Sequence, residues 1–194
     1  MNQYNPQIHH RRSIRLKGYD YAQEGLYFIT ICCENRICRF GNIENGEMIL
    51  NEYGKIAHHE WVKLSERFPN FELDAFQIMP NHIHGIIVLN TVGATLAVAQ
   101  NDEKTQNDII AQNDENDIRA GVNPAPTLFD VVGAYKSLVA NGCLEIYKTR
   151  NETRGKLWQR NYYEHIIRDE QSYQKISNYI INNPVNWAED KFYV

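Results

Sequence analysis

The chain has 194 residues, of which 43% are hydrophobic and 23% are charged, and its formal net charge is −4. This composition is typical of a globular protein with a substantial core. No apolar run approaches the roughly 18 residues that a membrane-spanning helix needs, and the basic N-terminus lacks the apolar centre of a secretory signal. We therefore expect one domain over residues 1–194, a cytoplasmic location and no membrane partner.

The negative charge is concentrated in one part of the chain. Residues 101–119 carry an acidic excess as large as that of the whole chain, so the remainder is neutral. Within the remainder, basic residues cluster near the N-terminus and again around residues 150–160. Basic patches on a neutral body are compatible with nucleic-acid binding, and equally with an ordinary solvated surface.

Strand and helix patterns alternate in the first part of the chain. β-branched and aromatic residues predict a strand over residues 26–33. An Asn45-Gly46 turn between short apolar runs predicts a hairpin over residues 43–50. Apolar residues at helical spacing then predict a helix over residues 53–68.

Two strands are predicted on either side of Pro80-Asn81, over residues 71–79 and 82–89. They must pair antiparallel, because a parallel return needs a crossover of a dozen or more residues. Residues 91–127 differ in kind, since Gln-Asn-Asp recurs there at a short fixed interval. So little apolar material cannot offset the entropy of ordering the chain. We expect a low-complexity, disordered insertion into the domain at about 91–127.

A second helix and a last strand region are predicted over residues 128–147 and 156–168. Asp169 is expected to cap a final helix that Pro184 ends. Without the hairpin and the insertion, the order is strand, helix, strand, strand, helix, strand, helix. This order predicts an α+β fold of the ferredoxin-like or RRM-like type, a split βαβ antiparallel sheet with helices on one face and an additional C-terminal helix.

The predicted strand over residues 82–89 begins with a pair of histidines. His82 and His84 point to the same face of a strand, about 7 Å apart. Such a pair is able to hold one metal ion, or to be half-buried and satisfied by hydrogen bonds. The spacing alone leaves both interpretations open.

The final helix carries Tyr179 and Asn183, which are four residues apart and therefore share a face. A lone tyrosine there would be ordinary packing at the edge of the core. Beside the histidine pair, a divalent cation bound by His82, His84 and the Asn183 side-chain oxygen would polarise a phosphodiester, so that Tyr179 attacks phosphorus. Two imidazoles and an amide oxygen suit Mg²⁺ or Mn²⁺.

Three motifs carry a resemblance to a known family. They are Met79-Pro80-Asn81-His82-Ile83-His84, Trp158-Gln159 followed by Tyr163-Glu164-His165-x-x-Arg168, and Tyr179-Ile180-x-x-Asn183-Pro184. The segment from Arg11 to Thr30 is similar too. With these motifs the sequence resembles the REP-associated tyrosine transposases, which are single-tyrosine HUH transposases. The resemblance covers nearly the whole chain outside the predicted insertion.

The resemblance implies a metal-dependent transposase that cleaves and rejoins single-stranded DNA at hairpins of repetitive extragenic palindromes (REPs). It implies that Tyr179 is the nucleophile and forms a 5′-phosphotyrosine link. His82 and His84 would be metal ligands, Asn183 the third ligand, and Mg²⁺ or Mn²⁺ the cofactor. We expect a monomer or homodimer that is associated with the nucleoid when bound to DNA.

Basic and aromatic residues outside this set are predicted to contact DNA. For the aromatic ones, stacking on unpaired bases and filling the edge of the sheet both remain open. The predicted residues are Arg11, Arg12, Arg15, Lys136, Trp158, Arg160, Tyr163, Arg168 and Lys175.

Two other functions are compatible with parts of the pattern. A metal-dependent hydrolase would use the histidine pair with a bound water, and needs further ligands such as a third histidine or an aspartate at a strand end. A non-catalytic nucleic-acid-binding module of RRM-like fold would explain the fold and the aromatic residues. It gives no reason for Tyr179 and Asn183 to share a helix face opposite the histidines.

Overall fold

The structure is a computed structural model that describes residues 23–90, 126–153 and 155–194. Arg11, Arg12, Arg15 and almost all of the predicted insertion lie outside these residues. The described elements, in chain order, are β1 Gly25–Cys32, β2 Gly41–Glu44, β3 Glu47–Leu50, α1 Glu52–Val62, α2 Leu64–Arg67, β4 Phe71–Ile78, β5 His82–Leu89, α3 Leu128–Thr149, β6 Tyr163–Ile167 and α4 Glu170–Asn182.

Four of the strands form one sheet in the order β4-β5-β1-β6. Each neighbouring pair in it is antiparallel, which confirms the predicted split βαβ fold of the α+β class. In the register of the sheet, Thr30 on β1 lies opposite His84 on β5 and opposite Tyr163 on β6. Residues paired across strands point to the same face, so these three side chains form one row.

The larger core lies on the sheet face covered by α1 and α3. Trp61 of α1 is fully buried there. Its ring stacks on Phe76 at a centroid distance of 5.6 Å and meets Tyr135 edge-on at 5.2 Å. The ring fits only because Gly85 on β5 has no side chain, since a Cβ at that position would lie 2.3 Å from Trp61 Cζ2. The histidine strand is thus held from behind by the largest buried ring of the core.

The opposite face of the sheet is covered by α4. A smaller buried cluster joins Phe28 on β1, Ile86 on β5, Ile167 on β6 and Ile180 on α4. The helix begins as predicted, because the Asp169 side chain accepts a hydrogen bond from Ser172 N at 2.7 Å. The predicted C-terminal helix therefore lies on the sheet face opposite to α1 and α3.

Two sequence-based predictions differ from the structure in detail. The helix predicted over residues 53–68 is divided at Lys63 into α1 and α2, although Lys63 itself keeps a right-handed helical conformation with a φ of −79° and a ψ of −3°. The strand region predicted over residues 156–168 contains only β6, and Trp158 makes a single isolated bridge to Cys33. Pairing stops there because β1 ends at Cys32 and the chain turns into a 3-10 segment over Glu34–Arg36.

The predicted start of α3 is confirmed at Leu128. Thr127, the last residue of the predicted insertion, caps this helix: its hydroxyl accepts from Asp130 N, and the Asp130 carboxylate accepts from Thr127 N. Such a capping box satisfies two backbone donors of the first turn. Thr127 is therefore part of the N-terminal cap of α3.

Replacing Gly85 with alanine should destabilise the fold, because the new Cβ forces the Trp61 ring to move within a packed core. Overpacking of this kind typically costs about 1–3 kcal/mol. Gly133→Ala is the matched control, since a Cβ there meets nothing within 4 Å on the exposed side of α3, and alanine in a helix is favoured by about 1 kcal/mol. Measured by urea denaturation, the free energy of unfolding should be lower in Gly85→Ala than in the unmodified protein. It should not be lower in Gly133→Ala. Equal stability of the Gly85→Ala variant would contradict the packing described.

Candidate active site between the sheet and α4

His82 and His84 occupy the start of β5, directly after the turn at Pro80-Asn81. The turn closes with a hydrogen bond from Met79 N to His82 O at 2.9 Å. Strand alternation places both imidazoles on the sheet face that α4 covers, and both are fully buried. Because β5 is a central strand, antiparallel hydrogen bonds to β4 and to β1 hold its backbone on both sides.

Hydrogen bonds determine which nitrogen of His82 carries the proton. The side-chain nitrogen of Asn81 donates to the carbonyl oxygens of Arg36 and Phe192, at 3.1 and 2.8 Å. Its oxygen therefore faces His82 Nδ1 at 2.9 Å and accepts from it. In the neutral ring, Nε2 of His82 is then left with a free lone pair.

His84 is oriented by Thr30, whose buried hydroxyl lies 2.8 Å from His84 Nδ1. A hydroxyl is able to donate or accept, so it supports either tautomer of the ring. The two Nε2 atoms of His82 and His84 are 2.9 Å apart. Two ligands at right angles on one ion, each about 2.1 Å from it, are also about 3 Å apart. The pair is therefore spaced both for an N–H···N hydrogen bond and for adjacent positions on one cation.

Helix α4 brings Tyr179 to this pair. The phenol oxygen lies 3.1 Å from His84 Nε2, and the hydroxyl donates to Asp190 Oδ2 at 2.8 Å. Tyr179 is 39% exposed, whereas Ser177 and Ile180 on the same helix are buried. The hydroxyl thus lies at the buried His84 nitrogen while the residue remains partly open to solvent.

Asn183 lies one helical turn further on, at the end of α4. It is 2% exposed, and its Nδ2 donates to Asp190 Oδ2 at 2.7 Å. Its Oδ1 is buried and has no hydrogen-bond partner among the described residues. Because a buried acceptor without a partner is costly, this oxygen is available for a ligand.

Asp190 was not identified from the sequence. After Pro184 the chain makes a 3-10 turn over Trp187–Glu189, which returns the Asp190 carboxylate to Tyr179 and Asn183. Ligand atoms of His82, His84 and Asp190 all lie within 4.8 Å of one another. An acid a few residues beyond a helix-ending proline is the only signal that the sequence offers for this position.

The last residues of the chain cover the histidines. The Phe192 ring lies 4.5 Å from that of His82 and 5.8 Å from that of His84, centroid to centroid. The segment is fixed by Arg36, which donates to Lys191 O at 3.0 Å, and by the bond from Asn81 to Phe192 O. The C-terminal segment therefore forms one wall of the site.

Burial and the local charges set the protonation of the site. Burial lowers the pKa of His82 to about 3 and that of His84 well below its usual value. Burial, together with the hydrogen bond to Asp190, raises the pKa of the Tyr179 phenol. Burial alone would raise the pKa of Asp190, but hydrogen bonds from Asn183, the Phe192 backbone and Tyr179 outweigh it and leave that pKa lowered. Two neutral imidazoles, a neutral phenol and one carboxylate therefore face each other, a donor set that fits a divalent cation.

The other predicted DNA-contacting residues lie in two kinds of surroundings. Trp158 is 5% exposed, and its indole donates to Lys136 O at 2.9 Å, which favours the packing interpretation. The Lys136 ammonium donates to the backbone oxygens of Gln159 and Arg160. Arg160, Tyr163, Arg168 and Lys175 are all exposed. The structure brings Tyr163 alone of these close to the histidine pair, through Phe28.

Comparisons with known proteins agree with the motifs. No family model matches the chain. A Haemophilus influenzae protein named only as uncharacterised is 42% identical over 192 residues, which are 98% of this chain and 97% of that protein. A second Haemophilus influenzae protein, provisionally named a REP-associated tyrosine transposase, is 26% identical over 167 residues, or 86% of this chain and 73% of that protein. The chain belongs to one family with the first of these proteins, and the resemblance to the REP-associated tyrosine transposases is confirmed.

Two solved structures are similar in fold. One is a REP-associated tyrosine transposase bound to a REP hairpin, with a TM-score of 0.49, 18% identity and coverage of 98% of this chain and 77% of that one. The other is a provisionally assigned transposase of Deinococcus radiodurans, with a TM-score of 0.45, 16% identity and coverage of 87% and 95%. Within the described part of the chain, no helix has the length and apolarity needed to cross a membrane.

The buried neutral histidines should make the metal-free protein sensitive to acid. In the unfolded chain each histidine takes up a proton below about pH 6.5, whereas in the folded protein His82 and His84 resist protonation. Stability is therefore complete above that pH and falls below it, by up to about 1.4 kcal/mol per pH unit for each histidine. Urea denaturation with EDTA at pH 7.5, 6.5 and 5.5 measures this slope. His82→Gln and His84→Gln should each flatten it, and equal stability of the unmodified protein at all three values would contradict the assignment.

Proposed function

We propose that the protein is a transposase-like enzyme that cleaves and rejoins single-stranded DNA next to a hairpin, with Tyr179 as the nucleophile. The observation that carries the proposal is the position of the Tyr179 hydroxyl, within hydrogen-bonding distance of both His84 Nε2 and Asp190 Oδ2. A phenol used only for packing has no need of contacts to a buried imidazole and a carboxylate. The similarity to the REP-associated tyrosine transposases supports a hairpin of the REP type as the substrate.

The first step of this reaction forms one bond and breaks another. The Tyr179 oxygen attacks phosphorus, and the bond from phosphorus to the 3′-oxygen breaks, which leaves a 5′-phosphotyrosine and a free 3′-hydroxyl. The phenol proton passes to Asp190 Oδ2, which already accepts it in a hydrogen bond, and from there to solvent. The departing 3′-oxygen takes a proton from solvent and becomes the hydroxyl. The reverse attack, by a 3′-hydroxyl on the phosphotyrosine, rejoins the strands and restores the phenol.

The residues present fit a divalent cation. His82 and His84 offer converging Nε2 atoms, Asp190 offers a carboxylate oxygen, and Asn183 Oδ1 is a buried acceptor beside that carboxylate. These residues would hold Mg²⁺ or Mn²⁺, which would stabilise the charge developing on the phosphate and lower the pKa of nearby hydroxyls. Asp190 is thus added to the ligand set of His82, His84 and Asn183 expected from the sequence.

Asp190 also favours a second candidate, a metal-dependent hydrolase. Such an enzyme needs a further acidic ligand beside the histidine pair, and Asp190 supplies one. In that reaction water attacks the substrate and no covalent link to the protein forms. The two functions therefore differ in whether DNA becomes attached to Tyr179.

Replacing Tyr179 should abolish a covalent protein–DNA adduct. With Mn²⁺ or Mg²⁺ and a labelled single-stranded hairpin oligonucleotide, we expect a labelled band at the size of the protein on a denaturing gel. Tyr179→Phe keeps the ring and removes the attacking oxygen, so the band should disappear. Tyr173→Phe is the matched control on the same helix, because the Tyr173 hydroxyl donates to Asp74, outside the site.

An adduct that persists in Tyr179→Phe would contradict the nucleophile assignment. Cleavage without any adduct would favour the hydrolase. Hairpin binding with neither cleavage nor adduct would favour a non-catalytic binding module.

Replacing Asp190 should weaken metal binding. Asp190→Asn removes one negative charge from the ligand set. The affinity for Mn²⁺ should fall by at least the roughly 10- to 100-fold that is typical for loss of a group that only orients a metal ligand. Glu189→Gln is the matched control, since it removes the same charge from the adjacent exposed residue. Titration calorimetry or the paramagnetic resonance signal of free Mn²⁺ measures the affinity without any DNA. Unchanged affinity in Asp190→Asn would contradict its inclusion among the ligands.

A further inference from the structure

A row of aromatic rings leads from the candidate site to the edge strand β6. The Phe28 ring lies 5.4 Å from the His84 ring and 6.4 Å from the Tyr179 ring, centroid to centroid. On its other side, Tyr163 meets Phe28 edge-on at 6.1 Å. Phe28 is buried, whereas Tyr163 is 40% exposed. Tyr163 is therefore the solvent-facing end of the row.

The sheet register fixes how far Tyr163 lies from the histidines. Tyr163 and His84 both lie opposite Thr30, one on each side of β1. Two strand spacings separate their backbones, which is about 10 Å. When a DNA strand has its phosphate at Tyr179, the nucleotide that reaches Tyr163 is an immediate neighbour of that phosphate.

A cation lies over the same ring. The Lys191 ammonium is 5.7 Å from the centre of the Tyr163 ring and 4.9 Å from that of the buried Phe192 ring. The backbone of Lys191 is fixed by the hydrogen bond from Arg36. An exposed aromatic face and a positioned ammonium are the two groups that bind a single-stranded nucleotide, one through the base and the other through the phosphate.

We propose that Tyr163 and Lys191 form a subsite for one unpaired nucleotide next to the phosphate held at Tyr179. The base stacks on the Tyr163 ring, and the phosphate of that nucleotide pairs with the Lys191 ammonium. Stacking tolerates every base, so the subsite selects an unpaired position rather than a sequence. The proposal rests on the function proposed above, because it needs DNA at Tyr179.

Trp158, the other aromatic residue predicted to contact DNA, differs from Tyr163 in being buried. Trp158 is packed against Phe40 and Tyr135 in the larger core, on the far side of the sheet from Tyr179. A base-paired nucleotide has both faces covered by its neighbours, so it cannot use Tyr163 in the same way. The subsite therefore places the cleaved phosphate beside unpaired DNA.

The test measures binding rather than cleavage. In a Tyr179→Phe background, fluorescence anisotropy gives the affinity for a hairpin oligonucleotide with single-stranded flanks. Tyr163→Ala should weaken binding roughly 5- to 150-fold, the range expected for loss of one stacked base. Tyr163→Trp should restore it. Tyr193→Ala is the matched control, because it removes another exposed tyrosine ring, which packs on Trp187 instead.

An abasic scan locates the stacked nucleotide. Removing the base at one flanking position should weaken binding to the protein with Tyr163 intact, and should cause no further loss in Tyr163→Ala. If Tyr163 only supported the fold, its replacement would weaken binding equally with every oligonucleotide. Additive losses at all flanking positions would therefore overturn the proposal.

The phosphate contact is tested by salt. Lys191→Gln should reduce the slope of log affinity against log salt concentration by about 0.7, the value for one contact to single-stranded nucleic acid. Lys55→Gln, on the exposed side of α1 behind the sheet, should leave the slope unchanged. An unchanged slope in Lys191→Gln would remove Lys191 from the subsite.

The two proposals fail in different ways. If the Tyr179→Phe protein does not bind hairpin DNA at all, the proposed function and the subsite are both overturned. If it binds, but Tyr163→Ala binds equally well, the subsite alone is overturned.

Discussion

The burial of two imidazoles side by side is the constraint on which the rest of the site depends. A buried polar nitrogen without a partner is costly, and each ring of the pair has its Nδ1 satisfied from behind, His82 by Asn81 and His84 by Thr30. Those contacts turn both Nε2 atoms toward one point on the α4 side of the sheet. The backbone of β5 is held on both sides by β4 and β1, and from behind by Trp61, which packs against Gly85. The direction of the two Nε2 atoms is therefore set by the central strand of the sheet.

The elements around this pair come from the end of the chain. Helix α4 contributes a phenol and an amide, and the segment after Pro184 contributes the Asp190 carboxylate and the Phe192 ring. The segment is therefore part of the site rather than a tail, since Asp190 holds Tyr179 and Asn183 together. Asn81 joins the two halves, because its side-chain oxygen accepts from His82 Nδ1 while its side-chain nitrogen donates to Phe192 O.

Local sequence patterns were sufficient to predict the order of the strands and helices, the shared face of His82 and His84, and the cap of α4 at Asp169. Each of these depends on residues close together in the sequence. Asp190 could not be predicted, because its position depends on the direction that the chain takes after Pro184, which is set by contacts with distant residues. For the same reason the sequence could not separate Trp158, whose ring enters the core, from Tyr163, whose ring stays exposed. The roles assigned to Tyr179, Asn183 and the basic residues remain predictions.

In the proposed function, DNA becomes covalently attached to Tyr179. Digestion of a protein–oligonucleotide reaction with trypsin and nuclease, followed by mass spectrometry, tests it directly. Residues 176–191 form one tryptic peptide, and Tyr179 is its only tyrosine. We expect this peptide to carry the mass of a 5′-phosphorylated nucleotide, with fragment ions that place it on Tyr179. Cleaved DNA with this peptide unmodified, or the nucleotide on another residue, would contradict the assignment of Tyr179 as the nucleophile.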